Sequence, residues 1–113
     1  DSNERRLITQ VSKWFNSQEI PYNEIVLSNH PYFFWSGDLN RGSKMFMKVN
    51  KNNINNVPIG SFILWDVHYC RKQYTKDLIG DDLIPSITSG KLSEVKRFEK
   101  FVIVFRKDAE INL

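Results

Sequence analysis

Cysteine is almost missing from this sequence. Cys70 stands alone among 113 residues, which rules out an internal disulfide and any zinc site built from several thiolates. Long apolar runs are missing too: no stretch approaches the roughly 18 residues that a membrane-spanning helix needs, and the opening DSNERRLITQ holds no signal-peptide core. That opening also lacks an initiator Met, so the expectation is a piece of a longer chain whose remainder can hold membrane spans or a targeting signal. Charge of one sign is not concentrated anywhere. Sixteen basic and 13 acidic residues give a net charge of +3, with no run of Lys and Arg longer than two. A nucleic-acid binder gathers its positive charge on one face, so nucleic acid is not an expected partner. Absent as well are a P-loop, the dinucleotide-binding glycine fingerprint, the kinase motifs, a G-x-S-x-G elbow, H-E-x-x-H spacing and any N-glycosylation sequon. No cofactor is expected.

What is present suffices for a core. A chain of this length buries roughly 65% of the surface its unfolded form exposes, and eight Phe, four Tyr and three Trp supply bulk. In NERRLITQVSKWFNSQ the apolar Leu7, Ile8, Val11, Trp14 and Phe15 form one stripe of a 3.6-residue period. This predicts an amphipathic helix, with Ser2 or Asn3 able to cap it, Glu4 at the positive end of its dipole and Pro21 barring continuation. Ile25 to Ser28 reads as a short buried strand ended by Asn29-His30-Pro31. SKMFMKVN fits a helix or a strand, and NKNNINN reads as a mobile surface loop.

Gly60 leads into SFILWDVHY, whose four consecutive apolar residues predict a strand covered on both faces over Ser61 to Val67. By the period of two, Phe62, Leu64, Asp66 and His68 face one way, and Ile63, Trp65, Val67 and Tyr69 the other. QYTKDLIGDD reads as a short helix with Tyr74, Leu78 and Ile79 inward and Gly80 as its C-terminal cap. Leu92 to Arg97 and Phe101 to Lys107 read as an antiparallel pair. The expected fold is one α/β domain over residues 1–113. Its small mixed sheet has about four strands, two central and parallel and two in a C-terminal antiparallel hairpin, packed with the N-terminal helix and short helices.

Parallel central strands bring Asn29 and His30, at the end of the first, beside Asp66 and His68, at the end of the second. Ligands of open α/β sheets bind along that edge. Tyr32, Trp35 and Asp38 follow closely enough to wall the same crevice. Two His and an Asp suit a divalent metal with an open position. Alternatively His68, oriented by Asp66, suits a general base, or the aromatic and polar groups together suit a sugar or headgroup. Strand-end Asp and His residues more commonly bond to loop amides, and that is the reading favoured, with no metal. Cys70 has Arg71 and Lys72 beside it but no oxyanion-hole signature, and reads as a structural thiol. Asp81 and Asp82 read as a solvated turn.

Two segments, PYFFWSG and VPIGSFILWDVHYC, together with the closing strand FVIVFRK, resemble the soluble C-terminal region of bacterial membrane-embedded glycosyltransferases and mannosyltransferases of the type that uses lipid-phosphate-linked sugars. The resemblance runs from about Ile25 to Lys107, and Trp65, Asp66 and His68 match its recurring strand-end motif; Cys70 departs from it, standing where Gly is common. It implies an accessory domain on the extracytoplasmic side of a membrane, partnered by the remainder of its own membrane-spanning chain and by a glycan or lipid-linked sugar. It also implies no catalytic residue in this stretch, since the catalytic acid of such proteins lies in the membrane part. The alternatives are a free-standing metal-dependent hydrolase using His30, Asp66 and His68, and an interaction module with Phe33, Phe34 and Trp35 as its exposed anchor.

Overall fold

The computed structural model describes residues 2–18, 25–32 and 46–113. Helix α1 spans Ser2–Ser17. Leu7, Ile8, Val11 and Phe15 are buried along its predicted stripe, and Trp14 packs at the margin. Phe15 meets Phe62 edge to face at 5.3 Å, and Trp14 meets Phe98 at 6.0 Å, so the helix is seated by aromatic edges as well as by area.

Among the described residues five strands form one sheet: β1 (Val26–Ser28), β2 (Phe46–Met47), β3 (Phe62–Asp66), β4 (Leu92–Phe98) and β5 (Val102–Lys107), in the order β2-β1-β3-β5-β4. β1 runs parallel to both neighbours, with Leu27 opposite Met47 on one side and Ile63 on the other. β3 pairs antiparallel with β5, and β5 with β4, where the register shifts between Glu94 and Lys96. The expected mixed α/β sheet is thus present, with its parallel centre and antiparallel hairpin. The fifth strand is β2, in the segment whose sequence fits helix or strand alike.

The pleat of β3 sorts its side chains as the period of two requires. Leu64 and Phe62 join Val26, Val102 and Val104 beneath α1. Ile63 and Trp65 join Leu27, Ile54, Leu78, Leu83 and Phe105 on the opposite face. A central strand with a core on each side has to be apolar at successive positions, which accounts for the unbroken run in its sequence.

Three local expectations are corrected. The Asn-rich tract is not a mobile loop: Lys51–Asn56 forms helix α2. Its N-terminus is capped by Asn50, whose side chain accepts from the Asn53 amide at 2.7 Å, and Ile54 is fully buried. Its C-terminus is held by Lys107, which lies wholly buried and donates from Nζ to the carbonyls of Ile54 (2.8 Å), Asn55 (3.0 Å) and Val57 (2.8 Å). An ammonium at a helix C-terminus meets the negative end of the dipole and otherwise unpaired carbonyls at once, and this outweighs the poor helix propensity of Asn. Next, the helix expected around Tyr74 is confined to α3, Lys72–Thr75. Thr75 Oγ1 bonds to the carbonyls of Arg71 and Leu78 and turns the chain. Leu78 is buried, but Tyr74 and Ile79 are exposed, because the period assumed for one continuous helix breaks at Lys76. Gly80 does not cap that helix; it opens a 3-10 turn, Gly80–Leu83, that leads into α4, Ile84–Thr88.

Replacing Lys107 by Met keeps the length of the side chain but leaves three carbonyls without their donor. The substitution is expected to lower the unfolding free energy by about 2–3 kcal/mol, read as a lower urea midpoint. Hydrogen exchange is expected to accelerate first at the Ile54 and Val57 amides.

Candidate functional site at the carboxyl edge of the parallel strands

The carboxyl ends of β1 and β3 lie side by side, so Asn29, His30, Asp66 and His68 do converge at one edge. The pleat then divides them. His30 and His68 meet α1, where both rings approach a single atom, Oε1 of Glu4: His30 Nε2 at 2.6 Å and His68 Nδ1 at 2.9 Å. His30 Nδ1 accepts the Tyr32 amide at 3.3 Å, so the proton of its neutral ring sits on Nε2 and is donated to Glu4. Phe101 lies edge-on to both imidazoles, at 6.1 Å from His30 and 5.2 Å from His68. Glu4 is the residue that reading along the chain passes over. Its place in the first turn suits the dipole, but its role follows from the first turn of α1 lying over this edge.

Asn29 faces the other way and stitches backbone together. Its Nδ2 donates to the carbonyls of Val49 and Tyr69, both at 3.1 Å, and its Oδ1 accepts the Val49 amide at 2.8 Å. All three bonds tie the ends of β1, β2 and β3 to one another. Asp66, 1% exposed, is the last residue of β3. Its Oδ1 accepts the amides of His68 (3.0 Å) and Tyr69 (2.7 Å), closing the turn after β3 as loop-amide pairing predicts. Tyr32 lies beneath the Arg5 guanidinium, 5.7 Å from its ring centre. Trp35 and Asp38 lie outside the described residues, as do Phe33 and Phe34.

The electrostatics of the two carboxylates have opposite signs. Burial pushes the Asp66 pKa up, and the Tyr69 and His68 amides and the two histidines offset this only in part. Burial also works to raise Glu4, but there the bonds from His30 and His68, with the charge those rings carry when protonated, prevail and hold its carboxyl below the usual range. The Cys70 thiol is pushed up by burial and by the adjacent Asp66 carboxylate. It contacts the Leu64 carbonyl and Asp66 Oδ2 at 3.8 and 3.9 Å, an environment that suppresses the thiolate and suits a structural thiol.

Among the described residues no group of three or more His, Cys, Asp and Glu side chains is disposed to hold a metal ion. The geometry gives the reason: both histidines are turned onto one oxygen of Glu4, and Asp66 is turned onto amides. Two open recesses flank the Glu4 bridge, of about 270 and 190 Å³. A larger depression, about 490 Å³, lies at the opposite edge near Pro85, Ser86 and Lys91 and touches none of these residues. Being large and open to solvent does not by itself make it a site, and the edge where side chains converge is the better candidate.

The chain matches no family model, no curated protein and no solved structure.

Two outcomes test the site. Asp66→Ala leaves the His68 and Tyr69 amides without an acceptor and is expected to cost about 1–3 kcal/mol. Asp66→Asn retains an acceptor and removes the buried charge, and is expected to unfold close to the parent at neutral pH. Urea titration separates the two variants.

The second outcome concerns pH. The lowered pKa of Glu4 gives stability that is fully present above its unfolded value near 4.5 and is lost as pH falls through the folded value. Asp66 has the opposite dependence: its contribution is greatest below the unfolded value near 3.8 and is lost as pH rises through its raised folded value. Glu4→Gln is therefore expected to be about 1–2 kcal/mol less stable than the parent at neutral pH, with the gap closing on acidification. A gap that does not vary with pH would contradict the assignment of the charge at Glu4.

Proposed function

We propose that the chain is a non-catalytic accessory domain of a membrane-bound glycosyltransferase-like protein, standing on the extracytoplasmic side and partnered by the remainder of a membrane-spanning chain. The observation that supports the non-catalytic part is the engagement of the buried His30 ring at both nitrogens. Both imidazoles that would perform acid–base chemistry at the strand ends share one carboxylate oxygen of α1, and the nearby Asp66 is occupied by amides. A general base has to present a free lone pair to its substrate within hydrogen-bond reach; the buried His30 has both ring nitrogens engaged, by Glu4 and by the Tyr32 amide, whereas His68 is bonded through Nδ1 alone at a partly exposed position and is the residue at which the reading is tested. The glycosyltransferase context rests on the likeness of PYFFWSG, VPIGSFILWDVHYC and FVIVFRK to the soluble regions of such proteins. Among the described residues no helix is long and apolar enough to cross a membrane, so in this reading attachment belongs to other parts of the protein.

The test uses the full-length product of the gene in its native host. It is expected to fractionate with membranes, and a protease added from outside after the outer barrier is opened is expected to cleave within this domain. Recovery in the soluble fraction would overturn the reading. So would loss of glycosyl transfer in a His68→Ala variant that is folded and present at parental levels.

A further inference from the structure

His68 differs from His30 in what it leaves unused. The Glu4 carboxyl, held below its usual range, is ionised at neutral pH and can only accept. In a neutral His68 the proton therefore sits on Nδ1, 2.9 Å from Oε1 of Glu4, and the lone pair lies across the ring on Nε2. His30 spends its second nitrogen on the Tyr32 amide. No described residue takes up the second nitrogen of His68.

The ring is held as well as polarised. Hydrogen bonds run in series from the Tyr32 amide through His30 and Glu4 to His68. Asp66 accepts the His68 backbone amide, and Phe101 meets the imidazole edge-on at 5.2 Å. Along this series the His30 side chain is 8% exposed and Glu4 19%, whereas His68 is 44% exposed. The inner members thus fix the tautomer and plane of an outer one that solvent reaches. A carboxylate behind an imidazole raises the basicity of the far nitrogen and meets the positive charge that develops on the ring as that nitrogen forms a bond.

The surroundings suit an electrophile that carries negative charge. His68 lines the recess of about 270 Å³ together with Val67, Glu99, Lys100 and Phe101. Of the carboxylates there, Glu4 is bound by the imidazoles and Glu99 by Arg6 at 3.0 Å. Lys100 is exposed and has no ion pair among the described residues. It sits in the tight turn between β4 and β5, which the Phe101 amide closes onto the Phe98 carbonyl at 3.1 Å. The Val67 amide donates to the Phe101 carbonyl at 3.1 Å, tying that turn to the end of β3 and keeping Lys100 and His68 on one recess.

We propose that His68 is a phosphoryl-acceptor residue, modified at Nε2 by a donor whose phosphate is bonded to nitrogen, with Lys100 beside the transferred group. The Nε2 lone pair forms the bond to phosphorus. The phosphorus–nitrogen bond of the donor breaks, and its electron pair leaves on the donor nitrogen, which is already protonated and departs as the free amine. The Nδ1 proton stays between His68 and Glu4, so the ring, made positive by the new bond, keeps its carboxylate. This goes beyond the accessory-domain reading and rests on the geometry of His68 alone; the residue is loaded once per molecule and does not turn over.

Phosphoramidate added to the folded protein, with the product followed by mass spectrometry and by NMR of the imidazole rings, is the test. One phosphoryl group per chain is expected, on Nε2 of His68 and not on His30, formed about tenfold faster than on N-acetylhistidine under the same conditions. Lys100→Gln, at an exposed turn, is expected to slow the reaction about threefold without lowering the unfolding temperature. Glu4→Gln, assayed where circular dichroism shows it folded, is expected to react no faster than N-acetylhistidine and to carry part of its phosphoryl on Nδ1. That change of ring position reports the lost bond to Nδ1 and not the stability of the helix. Phosphoryl on His30, a parental rate no higher than that of N-acetylhistidine, or a Glu4→Gln variant matching the parent in rate and position would each overturn the proposal. None of these results bears on membrane attachment, which fractionation decides separately.

Discussion

The buried ammonium of Lys107 holds together parts of the chain that have little other reason to meet. It sits at the end of β5, where its backbone amide donates to Ser61 and its carbonyl accepts from Gly60. Its side chain reaches beneath the sheet to gather the last carbonyls of α2. Burying a charge without an opposite charge is costly, and three carbonyl acceptors at the negative end of a helix are what make it tolerable here. The consequence spreads outward. Because α2 is held there, Ile54 fills the second core beside Leu27, Val49 and Ile63. That core in turn lies under the strand ends where Asn29 joins Val49 and Tyr69.

Much of this was legible in the sequence, and the failures have identifiable causes. The stripe from Leu7 to Phe15 marked α1, and the unbroken run before Asp66 marked a strand covered on both faces, because those patterns are imposed by burial itself. Lys107 left a readable trace as well. The period of two puts it on the same face as Ile103 and Phe105, both of which pack into the second core, so a cation falls on an apolar face and calls for an acceptor. What that acceptor is cannot be read locally. The Asn-rich tract fails for the same reason from the other side: its helix depends on a donor some fifty residues away, and residue propensities contain no such term.

The strand-end residues show how far a one-dimensional reading reaches at a site. Parallel pairing correctly brings Asn29, His30, Asp66 and His68 to one edge. Treating them as one cluster overlooks the pleat, which sends neighbours to opposite faces. His30 goes to α1 and Asn29 to the far side, so the sheet separates two tasks. One face is bridged by Glu4, a residue unremarkable in sequence because its partners are distant along the chain. The other face stays open, bordered by Tyr74 and Lys76, whose exposure follows from the break at Lys76 that no periodicity announces.

The register shift between Glu94 and Lys96 bears on how the molecule behaves in company. β4 is last in the strand order, so its outer backbone groups are the ones a strand from another molecule would seek. A bulge there displaces the regular ladder and increases local twist, and Glu94, Lys96 and Arg97 crowd the same few residues with charge, Arg97 bound to Glu94 at 2.5 Å. An incoming strand would find its register broken and its partners salt-bridged. In a chain with eight Phe and few charges to spare on its central strands, that blunted border favours staying dispersed over stacking edge to edge.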